Sequence, residues 1–480
     1  MDTSSSAASP LSTIIKMDEM PYLVMENIFS HLSLTDKFQC IEVSENLRNF
    51  SKNVLKRQAI LDLCRGKLDE LYRCPDPNHR PTLYDRLSCD IAFGDPPESG
   101  LYVAQMCPNA SVLHIDSISQ VSHEYEPLEA LISNLDSLVC VHLPYFGIQE
   151  YAVEVITTIM CHHSKSLRHL LVKDELDEQM LETIAKTFEN LEFLALHHPT
   201  TQREGYQNWP EELGPKFSGL HIDTNFNDSL AQRILKSLIA RPSIGLINEI
   251  VLTTTTSTIF ERICQHMSGL QKMVIYSDKF NFPENHNLVN LRALRLSTNT
   301  DEDDSRPLLL FLARIHDLRH LVLENFELTP YFLKNLPSAV PNLRKLSLFD
   351  AFRQRPISLT GDDIIHLQKL KFLETINLEF DSIEINPFQL SKVIEGWPDT
   401  LQWAKISPFH NLKIDHEHQK LVSILENMSK RKNYLDDLIQ GTFCKGNKRI
   451  DFNLKGRQIE IKNANCPSTE NISNNNILSL

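Results

Sequence analysis

A six-residue pattern, L-x-x-L-x-L, returns twelve times between Ala110 and Ile406, and few folds can accommodate it. Clear copies are Leu138-Val141-Leu143, Leu167-Leu170-Val172, Leu191-Leu194-Leu196 and Leu270-Met273-Ile275. Leu291-Leu294-Leu296, Leu318-Leu321-Leu323, Leu343-Leu346-Leu348 and Leu373-Ile376-Leu378 continue the series. Weaker copies are Ala110-Leu113-Ile115, Phe217-Leu220-Ile222, Ile247-Ile250-Leu252 and Leu401-Ala404-Ile406. From Ala110 to Leu401 the mean step is about 26 residues. The last two apolar positions of each copy stand two apart, the spacing of side chains on one face of a strand. One such match in an apolar segment is chance; twelve in near-regular order are not.

Between these strands lie segments with helical periodicity. Met180, Leu181, Ile184, Ala185 and Phe188 share one helical face, as do Leu230, Ile234, Leu235, Leu238 and Ile239. Each repeat is thus one strand and one helix, and neither buries its apolar face alone, so neighbours must stack. Helices are wider than strands, so the strands line the inside of an arc. Twelve parallel strands at about 4.8 Å spacing predict a concave sheet on the order of 50 Å long, a surface suited to another protein. The repeats resemble leucine-rich repeats, whose period is roughly 20–29 residues. They depart from the ribonuclease-inhibitor type in mostly lacking an asparagine after the strand.

Composition narrows the class. The 480 residues are 41% hydrophobic and 23% charged, an ordinary folded protein. Its formal charge of −14 lacks the basic footprint of generic nucleic-acid binding and disfavours anionic membranes. The ten cysteines form no CxxC pair or regular framework, which argues against structural zinc and a disulfide scaffold and for a reducing compartment. The N-terminal segment MDTSSSAASPLSTII has neither the basic start nor the apolar core of a signal peptide. A cytoplasmic or nuclear location, with no membrane partner, is expected.

The segment from Met20, MPYLVMENIFSHLSLTDKFQCIEVSENLRNFS, reads as a compact helical hairpin. Pro21 suits the first turn of a helix. Met25, Ile28, Phe29 and Leu32 fall at i, i+3, i+4 and i+7, one apolar stripe. Ser33-x-x-Asp36 has capping-box form, with Phe38 and Ile41 on the apolar side of the helix it starts. So small a unit offers more apolar surface than it can bury alone. This segment resembles the F-box, ungapped over about 32 residues. Pro21, Val24, Met25, Ile28, Phe29, Leu32, Asp36, Phe38 and Val43 sit at its pattern positions, with Met20 for Leu, Ser44 for Cys and Leu47 for Trp as departures. The resemblance implies docking on a Skp-type adaptor, and through it a cullin scaffold, by Pro21, Met25, Ile28, Phe29, Leu32 and Phe38.

No nucleophile elbow, phosphate loop, HExxH or RING-like Cys/His octet occurs, so the resemblance implies recruitment of a target and not catalysis. Outward strand positions supply the candidate target contacts. In the early repeats they include His114, His142, His169, His197 and His221, a polar surface with a metal site or pH-sensitive patch as the alternative. Later ones carry Lys272, Tyr276, Arg295, Lys345, Phe349, Trp403 and Lys405, and aromatic residues with Arg or Lys suit an interaction surface. The candidate target-binding residues are therefore His142, His169, His221, Tyr276, Arg295, Phe349 and Trp403, with no metal and no cofactor expected.

The expected fold is α/β: a leucine-rich-repeat solenoid, curved parallel sheet inside and helices outside, behind a small all-helical F-box. Its expected spans are a disordered tail (1–17), F-box (18–65), helical or loop linker (66–100) and repeats (101–415). A helix near 416–439 and a hairpin at Lys455-Gly456 cap the array (416–463), ahead of a second tail (464–480). The function expected is that of a substrate-recognition adaptor of a ubiquitin ligase. The alternative is a repeat scaffold or inhibitor with no ligase attached.

Overall fold

The computed structural model describes residues 20–32, 34–63, 98–115, 126–146, 149–196, 209–223, 228–298, 305–349, 359–384, 389, 392–393, 396–410, 440–445, 448–453 and 458–463. The chain divides into two compact units, Met1–Leu196 and His197–Leu480.

The first unit opens with helices α1 (Tyr22–His31), α2 (Leu34–Val43) and α3 (Glu45–Leu55), then strand β1 (Ile60–Leu63). Next come α4 (Glu98–Met106), β2 (Val112–Ile115), α5 (Glu126–Asn134), β3 (Cys140–Leu143), α6 (Gln149–His163), β4 (His169–Val172), α7 (Glu178–Thr187) and β5 (Phe193–Leu196). The five strands pair in parallel and in chain order. Strand β1 begins inside the span expected to be F-box. Gln58-x-x-Leu61-x-Leu63 keeps the repeat spacing but puts a polar residue first, which hides it from a search for apolar triplets.

The second unit holds α8 (Trp209–Glu212), β6 (Gly219–Asp223), α9 (Asp228–Ala240), β7 (Glu249–Thr255), α10 (Ser257–His266), β8 (Lys272–Ser277) and β9 (Ala293–Thr298). Then follow α11 (Ser305–Leu312), β10 (His320–Glu324), α12 (Pro330–Ala339), β11 (Lys345–Phe349), β12 (Leu359–Thr360), α13 (Gly361–Ile365), β13 (Thr375–Glu384) and β14 (Trp403–His410). Strands β6 to β11, then β13 and β14, form one parallel series, with β12 beside the end of β13. Strands β15 (Gln440–Lys445), β16 (Lys448–Asn453) and β17 (Gln458–Asn463) reverse the direction. β17 pairs antiparallel with β14, which covers the last parallel edge, and Asn453 faces Gln458 across the β16–β17 pair. The helix expected at 416–439, the two tails and most of the expected linker lie outside the described residues.

All three apolar positions of all twelve repeats are buried, none more than 3% exposed. The helices contribute the opposite wall: Leu181, Ile184 and Ala185 of α7, capped at Asp177 through the amide of Met180, are buried, as are Ile234, Leu235 and Leu238 of α9. Truncating one such leucine to alanine in a close-packed core costs about 2–5 kcal/mol, so each strand is held in its parity by its own leucines.

Side chains also tie repeat to repeat. Asn190, Asn290 and Asn342 each precede the first leucine of a repeat. Each donates to a carbonyl of the repeat before: Lys165 at 2.9 Å, Ser268 at 3.0 Å and His316 at 3.0 Å. Asn109 does the same to Lys56 at 2.6 Å, and Thr400 to Lys371 at 3.1 Å. Gly269 stands in that place before Leu270. A Cβ there would lie 2.1 Å from the carbonyl oxygen of Gly245, so the backbone approach excludes a side chain.

His163, at the end of α6, is a buried bridge. The amide of Leu138 donates to its Nδ1 at 3.2 Å, which leaves Nε2 to donate to the carbonyl of Ile132 at 2.8 Å. Burial holds its pKa below the ordinary histidine value, so the ring is neutral at pH 7. His163→Ala strands one amide and one carbonyl in the core and is expected to lower unfolding free energy by about 2–4 kcal/mol. Equilibrium urea unfolding of the full chain measures this, and a loss under about 1 kcal/mol would mean that water replaces the ring.

Candidate protein-docking surfaces

The N-terminal helices build a core of their own. Met25, Phe29 and Leu47 are its buried centre, with Met20, Leu32, Cys40, Phe50 and Val54 packed around it. Phe29 meets Phe50 edge-on at 4.8 Å, and Tyr22 meets Phe50 at 5.1 Å. Arg57 donates to Tyr22 Oη at 2.8 Å and to Glu26 at 2.9 Å, which ties the end of α3 back to α1. Ser44 starts α3 by accepting the amide of Leu47 at 3.2 Å; the cap expected from Ser33 lies outside the described residues. Helix α2 turns its apolar side elsewhere. Phe38 and Ile41 are buried, and the Phe38 ring lies 6.4 Å from that of Tyr102 on α4.

This packing sorts the six residues expected to dock. Met25, Phe29 and Phe38 are interior to the first unit, Ile28 and Leu32 are half-buried, and Pro21 is exposed. The surface instead offers Tyr22, Leu23, Val24 and Val43, with Leu23 76% and Val24 45% exposed. Pro21, Val24 and Ile28 recur at helical spacing, so α1 presents one apolar strip outward while Met25 and Phe29 point in, and Leu32, extended at the end of the helix, packs partly on that core. The sequence signal for this was the run of apolar residues at 23–25, too wide for a single buried stripe.

On the strands, the side opposite the repeat leucines is the second surface. In the first unit His114 faces His142, their rings T-shaped at 5.0 Å. His169 does not join them: it stands opposite Cys140 and Phe193, one row over, and Glu192 lies 3.9 Å from it. The reason is an offset of two residues along one strand face: His114 and His142 lie between the second and third apolar positions of their repeats, whereas His169 precedes the second. His197 lies outside the described residues, and His221 is in the second unit, beside Val251. Among the described residues no three His, Cys, Asp or Glu side chains converge as metal ligands would. His142 is pushed down to about 4, chiefly by burial and then by His114, His169 and Lys173.

In the second unit three expected residues fall in a network. Arg295 lies over the Tyr276 ring at 5.5 Å and pairs with Glu324 at 2.7 Å, both charged side chains about 15% exposed. Burial raises the Tyr276 hydroxyl pKa, Arg295 opposes this, and Glu324 and Asp223 add to it. Phe349 stands opposite Glu324 on the next strand. Trp403 is separate, opposite Thr375 and, across the closing strand, Lys462. Sequence reading picked out the cations but not their partners: Lys272 pairs with Glu249 at 2.9 Å and Lys405 with Glu379 at 2.6 Å. Both pairs join register neighbours or near-neighbours on adjacent strands, so listing residues by their place in the repeat would have found them.

Removing Arg295 strands a poorly solvated carboxylate. Arg295→Ala is expected to destabilise the chain by about 2 kcal/mol, and Glu324→Gln by less. A double-mutant cycle in urea checks this; additive losses would mean that the pair is not coupled.

His142 and His320 are both held at about 4, His320 by burial and then by Lys345, Arg319 and Arg344. The unfolded chain protonates them near 6.5, so it binds more protons between about 4 and 6.5. Their stabilising contribution is present above about pH 6.5 and lost as pH falls toward 4. Urea midpoints measured from pH 7.5 to 5 should fall, and less steeply in a His142→Asn, His320→Asn variant; equal slopes would refute the assignment.

The F-box domain profile matches residues 17–58. No curated protein matches the chain. Among solved structures, the crystal structure of a TLR13–ssRNA13 complex is similar at 13% identity and a TM-score of 0.38, over 63% of this chain and 40% of that one. The leucine-rich repeat-containing protein LegL7 from Legionella pneumophila is similar at 15% identity and a TM-score of 0.34, over 62% of this chain and 92% of its own. The repeat assignment stands on the twelve buried triplets and the parallel strand order described above. The chain carries an F-box domain followed by a leucine-rich-repeat solenoid, the organisation of the F-box/leucine-rich-repeat family.

Proposed function

We propose that the chain is the substrate-recognition subunit of a Skp–cullin–F-box ubiquitin ligase, acting in the cytoplasm or nucleus. F-box domains bind Skp-type adaptors, and the F-box match at 17–58 is the observation that carries the reading. The docking surface is the apolar strip of α1: Pro21, Leu23 and Val24, with the exposed edges of Ile28 and Leu32. Met25 and Phe29 support it from beneath, because their burial fixes the helix that presents it, while Phe38 holds α2 against α4. A strip of this kind, rimmed by Asn27, Ser30 and His31, is what a monomer covers with a partner.

The repeats hold the target on the outer face of the strands, with Tyr276 and Arg295 as its anchors and His142, His169, His221, Phe349 and Trp403 as further contacts. Recruitment needs no catalytic group in this chain. Holding a target lysine beside a ubiquitin-charged enzyme raises the effective concentration of one for the other, and the chemistry belongs to that enzyme. The alternative is a repeat scaffold whose helices only close the sheet. It is favoured by one contact, Phe38 against Tyr102, which commits α2 to the first repeats.

Adaptor capture separates the two. Purified Skp-type adaptor should bind the intact chain and lose at least about tenfold in affinity toward Leu23→Asp, Val24→Asp, with circular dichroism and thermal midpoint unchanged. Phe29→Asp should lose binding together with the fold of the helices. No capture by the intact chain would leave the scaffold reading.

A further inference from the structure

Strands β9, β10 and β11 are entered through Arg292, Arg319 and Arg344, the same position in three consecutive repeats. Backbone bonds fix them side by side: the amide of Arg319 donates to the carbonyl of Arg292 at 2.9 Å, and that of Arg344 to the carbonyl of Arg319 at 2.7 Å. Adjacent strands are about 4.8 Å apart, so three guanidinium groups leave the sheet along a line of about 10 Å. All three are exposed. The next residue in the row is Glu374, which pairs with Arg344 at 2.9 Å; among the described residues no carboxylate pairs with Arg292 or Arg319. One residue further along the strands, Lys345 stands opposite His320. His320 also marks the convergence of these charges, since Lys345, Arg319 and Arg344 all act on its ring.

Folding does not call for this arrangement. Like charges directly across neighbouring strands repel, and exposed side chains bury nothing in return. Elsewhere opposite charges pair across adjacent strands: Glu249 with Lys272, Arg295 with Glu324, Glu379 with Lys405. The chain as a whole is acidic, 62 Asp and Glu against 48 Lys and Arg, so four cations within two turns of the repeat are a local departure.

We propose that Arg292, Arg319, Arg344 and Lys345 form a docking ladder for an extended, carboxylate-rich segment of the target protein. Same-side residues of an extended peptide recur at about 6.8 Å, within reach of arginines one or two strands apart. Charges farther away than about 8 Å are screened at physiological salt, so the net −14 does not repel a short acidic segment held on this patch. A nucleic acid is the poorer fit, because its phosphates need a longer basic track than three repeats supply. The proposal rests on the repeats being the target-binding surface, and it does not require the ligase.

The test uses the full chain and dye-labelled peptides in fluorescence anisotropy. A peptide alternating Glu and Ser should bind, weaken as salt rises, and bind at least about fivefold less well to Arg292→Ser, Arg319→Ser. The matched Gln and Ser peptide should not bind. Arg168→Ser, which removes an arginine paired with Glu192 in the first unit, should leave affinity unchanged. Equal binding of the two peptides, an intact affinity in the double variant, or tighter binding of a single-stranded oligonucleotide would each overturn the ladder. Adaptor capture by the same double variant keeps the two readings apart. Capture without arginine-dependent peptide binding refutes only the ladder, and arginine-dependent binding without capture refutes only the ligase assignment.

Discussion

Each of the twelve repeats buries three apolar residues, and no repeat can do so without its neighbour. Parallel pairing sets the neighbours in register, so Leu294, Leu321 and Leu346 lie in one row and Leu296, Leu323 and Leu348 in the next. Slipping one strand by a single residue would turn its leucines to water and its charges to the core. The register is also held from outside the core. Asn190, Asn290 and Asn342 reach back to carbonyls of the preceding repeat and satisfy backbone groups that the tight turns leave open. Every surface property of the strands follows from this register, since it decides which outward side chains become neighbours.

That dependence explains what the sequence disclosed and what it hid. The triplets were legible because apolar burial leaves a pattern that needs no partner to be seen. Strand β1 was not, because Gln58 takes the place of the first leucine. The Asn-Leu dipeptides at 190–191, 290–291 and 342–343 are in plain view, but they precede the strand, whereas the ribonuclease-inhibitor pattern has its asparagine after it, where this chain mostly lacks one. The histidine row is broken for a simpler reason: His169 stands two residues earlier in its repeat than His114 and His142 do in theirs, and spacing within each repeat already says so. Tyr276 and Arg295 were picked as single residues. Their value as a pair, with Glu324 as the third member, exists only once β8, β9 and β10 are laid side by side.

The N-terminal helices divide their apolar surface in three. Phe29, Met25 and Leu47 close the hairpin on itself, and Phe38 and Ile41 lean on α4, leaving Leu23 and Val24 without cover. A stripe at i, i+3, i+4 and i+7 cannot distinguish these fates, because a residue that binds a partner and one that builds the core obey the same period. What separates them is the second helix face, and α1 has one. Leu47, standing where the F-box pattern has tryptophan, is buried 3 positions into α3 and fills the centre of the small core.

Electrostatics between neighbouring strands obeys two rules in different places. Across most of the second unit, acid meets base on the neighbouring strand, which stabilises the register that the leucines impose. Between Arg292 and Arg319 and again between Arg319 and Arg344 the rule is broken, and the break ends where Glu374 pairs with Arg344. A fold that tolerates such a run does so because the arginines are long, solvated and screened, so the penalty stays small. A small penalty kept in three repeats is still a penalty. The same charges that add nothing to the isolated chain become favourable when an opposite charge arrives, so the row is explained by what it meets and not by what it holds together.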